Sequence, residues 1–289
     1  MNDSMLLSIG IAQLQHVFTK AQQWIEQQEE VDKIVTELPK QFFDYTAIAF
    51  EGAAMQLAIK ALRAQKPLTA WEQVANDETH PYPVSSYLGL GMALAQLRLD
   101  PSPYVAEANE FLGERIWAGY GYHNNLIRNR SEIDYLSDQP IAAKALYWQG
   151  VGRSCWHKSE GDLVKLEALL APFEGDSMPA LWRGIGIGST YLGIGSKELW
   201  KALGKKAGEY YLQLAVGAII VSASIRLTTR NICHDLLLLW CGCSLEEAQK
   251  MHYSAGDKAL EENGEEPFLR WLKLIEEKLQ LSSGSFDSK

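Results

Sequence analysis

Glu51 stands in the stretch Ala47-Ile-Ala-Phe-Glu-Gly-Ala-Ala-Met-Gln-Leu-Ala-Ile59, with apolar or small residues on every side of the helix this segment predicts. A carboxylate so placed is desolvated, which raises its pKa and suits it to general acid or base catalysis unless a cation pairs with it. Arg153 and Arg183 occupy related surroundings, so a structural Glu–Arg pair is the competing reading. A second group of reactive side chains follows Gly119-Tyr-Gly-Tyr, where His123, Asn124 and Asn125 lead into a polar stretch that holds Asp134, Tyr135 and Asp138 and ends at Pro140. Here the helical pattern breaks, and a long functional loop is expected. His123 titrates near neutrality and the two asparagines both donate and accept. Glu51, His123 and Asp134 are therefore the catalytic candidates. An ordinary turn-rich connector with a helix-capping histidine is the alternative, and no triad is evident.

Familiar chemistries are excluded by what these residues lack around them. There is no G-x-x-x-x-G-K-[ST] loop, and Gly184-Ile-Gly-Ile-Gly188 lies inside a helical pattern with the wrong spacing for a dinucleotide fingerprint. Neither a G-x-S-x-G elbow nor an H-E-x-x-H pair occurs. Cys155, Cys233, Cys241 and Cys243 are too few and too clustered for a disulfide framework. Cys241-Gly-Cys243 lacks paired C-x-x-C spacing, so no metal site and no cofactor is expected. The net charge of −9 and the absence of a basic run argue against nucleic acid and anionic membranes as partners. The N-terminus shows no secretory pattern, and the apolar run Tyr210–Ile225 falls short of the roughly 20 residues that span a bilayer. A cytoplasmic protein is expected.

The elements that must position these groups are announced by a recurring word, aromatic–any–Gly–apolar–Gly. Its variants are Phe50-Glu-Gly-Ala-Ala54, Tyr87-Leu-Gly-Leu-Gly91, Trp117-Ala-Gly-Tyr-Gly121, Trp148-Gln-Gly-Val-Gly152, Trp182-Arg-Gly-Ile-Gly186 and a degenerate Gln213-Leu-Ala-Val-Gly217. First residues recur at intervals of 37, 30, 31, 34 and 31, the period of a two-helix repeat. Between copies, Asp162 is a helix N-cap, Pro172 a stop, Ser196 a further cap, and Ser244-Leu-Glu-Glu247 a capping box. No segment alternates as a strand does. The expectation is all-α, a right-handed stack of antiparallel helix pairs of tetratricopeptide or α-solenoid type, in one compact domain over 41–281. An amphipathic helix within 1–40 precedes it and a disordered tail, 282–289, follows.

Each helical glycine costs about 1 kcal/mol against alanine, so two per word must be offset by close approach of a neighbour. Positions i and i+2 lie about 200° apart, which leaves one glycine for a partner helix and one for an inner surface with room for a pocket. The accompanying aromatics are core residues on the plain reading. If they wall a cavity, they suit a large hydrophobic ligand. Trp117, Tyr120, Trp148, Arg153, Trp182 and Arg183 are the substrate-binding candidates.

The words Phe50-Glu-Gly-Ala-Ala-Met55, Gly119-Tyr-Gly-Tyr-His123, Gly150-Val-Gly-Arg-Ser154, Leu181-Trp-Arg-Gly-Ile-Gly186 and Gln213-Leu-Ala-Val-Gly-Ala218 together resemble a bacterial family of unknown function labelled enediyne biosynthesis proteins, over about Phe43 to His252. The resemblance implies a place in specialised metabolism and assigns no catalytic residue. The expected function is a biosynthetic protein that encloses a polyketide or terpenoid-like intermediate and promotes a cofactor-independent cyclisation or isomerisation. The alternative is a non-catalytic scaffold or carrier for pathway enzymes or a reactive product.

Overall fold

The six words fall on long helices that pack in sequence order, and this packing sets the architecture. In the computed structural model, which describes residues 3–27, 31–109, 111–129, 136–225, 232–261 and 266–283, the chain opens with α1 (Asp3–Gln27) and α2 (Ile34–Gln41). Then come α3 (Thr46–Arg63), α4 (Thr69–Ala75), α5 (Pro83–Leu97), α6 (Ser102–Glu107), α7 (Arg115–Arg128) and α8 (Ile141–Ser159). The remainder is α9 (Leu163–Leu170), α10 (Ser177–Leu192), α11 (Lys197–Ala207), α12 (Tyr211–Ser222), α13 (Ile232–Cys241), α14 (Leu245–Glu261) and α15 (Pro267–Ser283). No strand occurs among the described residues, and the helices share one hydrophobic core in a single all-α domain.

The principal contacts run α1–α3–α5–α7–α8–α10–α12, each helix against the next. Neighbours point the same way: near their C-terminal ends Arg128 of α7 donates to the Ala95 carbonyl of α5, and Lys158 of α8 donates to the Asn125 carbonyl of α7. The chain must therefore return between successive long helices. It does so through the short helices α4, α6, α9 and α11, so that a long and a short helix form a repeat everywhere from α3 to α12 except between α7 and α8, where the described connection carries only the 3-10 turn Leu136–Asp138.

The glycines explain the order. Gly89 lies against the Glu51 carbonyl of α3 and Gly91 against the Ile116 carbonyl of α7. Gly119 faces Leu88 of α5 and Gly121 faces Tyr147 of α8; Gly150 faces Ala118 of α7 and Gly152 faces Leu181 of α10. A Cβ at any of these positions would stand 2.0–2.4 Å from a carbonyl oxygen. The near-opposite directions of i and i+2 thus serve both neighbours of each helix, so both glycines are spent on helix contacts, Gly150 bordering the first cavity besides. The sixth word is corrected in register: Gly217 touches the Arg183 carbonyl and the Ile187 amide, the role of a first glycine, so the copy reads Ala215-Val-Gly217-Ala-Ile219.

Capping follows the local sequence. The Asp162 carboxylate accepts from the amides of Val164 and Lys165, and Ser196 accepts from Leu199. Ser244 and Glu247 form the reciprocal capping box, at 2.7 and 3.2 Å. Two expectations fail. Helix α7 does not break at His123 but continues to Arg128, where Asn129 takes a left-handed conformation with φ 49°. The apolar run Tyr210–Ile225 is not one continuous helix: a 3-10 turn, Gly208–Tyr210, leads into α12, which stops at Ser222.

Helix α1 covers one end of this layer. Its Phe18 carbonyl meets Gly52 of α3, while Asp3 accepts from the Ser196 amide (2.8 Å) and hydroxyl (2.6 Å) just beyond α10. Helices α14 and α15 pack on α12 and on each other at the other side. Among the described residues, no helix is long and apolar enough to cross a membrane.

Candidate functional site

The second slot of the word, which carries no glycine and varies most, points to the interior. Glu51, Leu88, Ala118 and Gln149 occupy it in successive copies and all line one cavity of about 350 Å³. Four residues further on, one turn along each helix, Met55, Met92, Tyr122 and Arg153 line a second cavity of about 500 Å³. Spacing of four on successive parallel helices makes a continuous inner stripe.

Glu51 and Arg153 border both cavities, and they touch. Arg153 Nη1 donates to Glu51 Oε1 and Nη2 to Oε2, each at 3.0 Å, in a bidentate pair with Glu51 5% and Arg153 9% exposed. The pair joins α3 to α8 across the interior, although α5 and α7 stand between them in packing order, so the layer curls on itself. The Tyr122 ring lies 4.8 Å from the Arg153 guanidinium carbon, and the Tyr122 hydroxyl is 2.9 Å from His157 Nδ1. Burial lowers the proton affinity of Arg153, but Glu51 and then Tyr122 outweigh it, and the net shift is upward. Burial pushes Tyr122 up to about 12, and burial with the Arg153 charge pulls His157 down to about 3. His157 is therefore neutral, and the whole group carries one buried plus and one buried minus charge.

The second cavity is lined on one side by Ile11, Leu14 and Phe18 of α1 and is bordered by His123. Burial, then Arg128, lowers His123 to about 4, and its Nδ1 is buried with no hydrogen-bond partner. His123 and Glu51 thus border one cavity. Asn124 and Asn125 face inward into protein: Asn125 Nδ2 donates to Ser154 Oγ at 2.6 Å.

In the first cavity, aromatic walls come from Tyr82, Phe111, Tyr191, Tyr253 and Trp271. These are not the rings of the repeated word. Trp117 and Tyr120 pack on each other (centroids 6.3 Å apart) and Trp148 packs between Tyr147 and Phe173. Trp182 is buried in the core, and none of these four lines either cavity, so their assignment to ligand binding is withdrawn in favour of helix packing. Arg183 Nε donates to Gln149 Oε1 (2.8 Å) and its Nη1 to Gln213 Oε1 (3.0 Å); it braces the wall through Gln149 and does not pair with Glu51. Burial, opposed by Glu276, lowers it to about 10. Asp134 lies outside the described residues.

Sequence reasoning missed Arg115, Tyr122, Gln149 and His252. Gln149 and Tyr122 had a signal, the second slot and the position four later. Arg115 opens α7 and looks like an ordinary first-turn residue, and its rings, Phe268 and Trp271, come from the far end of the chain. Among the described residues no group of three or more His, Cys, Asp or Glu is arranged to hold a metal, and Cys155, Cys241 and Cys243 are buried thiols.

No curated protein matches the chain, and no solved structure does. One family does match, from Gly10 to Leu279, and covers nearly the whole curled layer with its capping helices. The chain belongs to the family described as protein of unknown function (DUF1702).

Proposed function

We propose that this protein encloses a hydrophobic small molecule in the interior of its curled helical layer and holds it away from water. The observation that carries this reading is the pair of cavities, about 350 and 500 Å³, that meet at the Glu51–Arg153 pair. Their size is that of ordinary small-molecule sites, and their walls combine apolar side chains with few convergent polar groups. Glycine-mediated contact gives the walls rigid backbone-to-backbone support, so the space is preformed. A polyketide or terpenoid-like compound of specialised metabolism, the class implied by the resemblance, fits such a lining in chemical character.

Enclosure is better supported than proton transfer by Glu51, because both carboxylate oxygens are already committed to Arg153. The isomerase or cyclase reading draws on a different residue: His123 presents a buried, unpartnered ring nitrogen beside the second cavity and is neutral at physiological pH. A neutral imidazole in an apolar cavity can accept a proton from a bound ligand.

The test is ligand retention. Purified protein, extracted with organic solvent and examined by native mass spectrometry, should release an apolar compound, and the emptied protein should take up a solvatochromic hydrophobic dye that Leu88→Trp excludes. Absence of any extractable compound, together with dye uptake unaffected by Leu88→Trp, would overturn enclosure.

A further inference from the structure

Arg115 is the one cation on the first cavity's wall that is nearly fully buried, at 5% exposure, and yet has a guanidinium nitrogen, Nη1, with no hydrogen-bond partner. Its guanidinium carbon stands 4.4 Å from the Phe268 ring centroid and 4.9 Å from those of Phe111 and Trp271. Rings stabilise a guanidinium through its faces and leave the N–H edge unsatisfied. A buried charged donor without an acceptor is costly, and such groups in a lined cavity mark the place of a ligand atom. Beside it, His252 shares the Trp271 ring (centroids 5.0 Å apart), lines the same cavity, and also has an unpartnered Nδ1. The cavity's two carboxylates do not fill the role: Glu51 is bound by Arg153, and Asp257 is exposed.

We infer that the first cavity takes a hydrophobic carboxylic acid, its tail along Leu88, Ala118 and Ile187 and its carboxylate on Arg115 Nη1. This rests on the enclosure reading and narrows it from any apolar compound to an amphipathic acid. The three rings hold the guanidinium in place before the ligand arrives, so little side-chain freedom is lost on binding. Burial, with Arg183 adding to it against the pull of Glu114, brings Arg115 down to about 10, so it remains charged at neutral pH. Burial and the Arg115 charge lower His252 to about 4, so it stays neutral and adds no second charge to the head-group end of the cavity.

The experiment is calorimetric titration of the full chain at pH 7.5 with decanoate, methyl decanoate and decyl phosphate. Decanoate should bind at least tenfold more tightly than its methyl ester. Arg115→Gln should abolish that preference and leave ester affinity unchanged, and Arg115→Lys should keep most of it. Because Arg115→Gln removes a stacked side chain and its folding is at risk, the acid-to-ester ratio of the unaltered protein and the lysine variant carry the test by themselves. Equal binding of acid and ester overturns the head-group assignment and leaves enclosure standing. Tighter binding of decyl phosphate than of decanoate overturns the carboxylate in favour of a phosphate ester. A preference that survives Arg115→Gln overturns the role of Arg115. Failure of all three compounds to bind overturns both this inference and enclosure.

Discussion

Arg153 of α8 grips Glu51 of α3 through two hydrogen bonds of 3.0 Å across the interior of the layer, and no other ion pair among those described is so deeply buried. Removing one partner leaves the other charge stranded, which costs about 3–5 kcal/mol in comparable buried pairs. Glu51→Gln should therefore lower stability by that order, and Glu51→Leu combined with Arg153→Met should lose less than Glu51→Gln alone. Urea denaturation midpoints measure both; a Glu51→Gln protein within 1 kcal/mol of the parent would show the pair to be incidental.

The glycine contacts predict opposite signs for the same chemical change. Gly150→Ala places a Cβ 2.0 Å from the Ala118 carbonyl, where only a backbone shift can relieve the clash, so a loss of about 3 kcal/mol or more is expected. Gly256→Ala, in α14, meets nothing nearer than Trp271 Nε1 at 3.9 Å. It should stabilise by up to about 1 kcal/mol, the ordinary gain of alanine in a helix. Thermal melts of the two variants separate glycines that stack helices from one, Gly256, that borders the first cavity and stacks none.

That contrast marks how far the sequence could be read. Two glycines at i and i+2 announce close approach, and the period of the word announces a repeat, because both depend on local spacing. Glu51 was conspicuous for the same reason: a charge among apolar neighbours needs a partner wherever the helix goes. What spacing cannot carry is which helix lies on which side. The inward direction of the second slot follows only from the two glycine contacts flanking it. Trp117, Trp148 and Trp182 looked like cavity walls but pack in or against the core and border neither cavity. Arg115 became a site residue only through Phe268 and Trp271, more than 150 positions later, and no local pattern connects them. The break expected at His123 came from reading Tyr, His and two Asn as loop-formers; their side chains are instead buried by α8 and α1, and tertiary burial outweighs weak helix propensity.

Three buried histidines and the half-buried His252 set the acid limit of the fold. Burial holds His80, His123 and His252 down to about 4 and His157 down to about 3, against about 6.5 when unfolded. Between pH 6.5 and 4 the unfolded chain binds protons that the folded chain does not, so stability is full above 6.5 and falls as pH drops through that window. Each histidine contributes roughly 1 kcal/mol per pH unit there. Urea midpoints should hold from pH 7.5 to about 6.5 and decline steadily from there to pH 5, and His157→Gln should flatten that slope. A flat profile over this range would mean that the histidines are solvated.

Leu88 offers the sharpest test of the interior as a binding space. It holds the second slot of its word, its carbonyl is the contact surface for Gly119, and its side chain borders the first cavity without being fully buried. Leu88→Trp leaves the backbone contact with α7 in place and adds an indole to a space of about 350 Å³. Overpacking in a filled core costs typically 1–3 kcal/mol, whereas a side chain that grows into an empty cavity is spared that strain. The expected result is a folded protein with a melting temperature near that of the parent and at least tenfold weaker uptake of the hydrophobic dye. His123→Ala, at the second cavity, is the comparison: it should leave uptake in the first cavity unchanged, because the Glu51–Arg153 pair stands between the two spaces. Loss of dye uptake in both variants to the same degree would mean that the pair does not divide the interior and that one continuous ligand passes it.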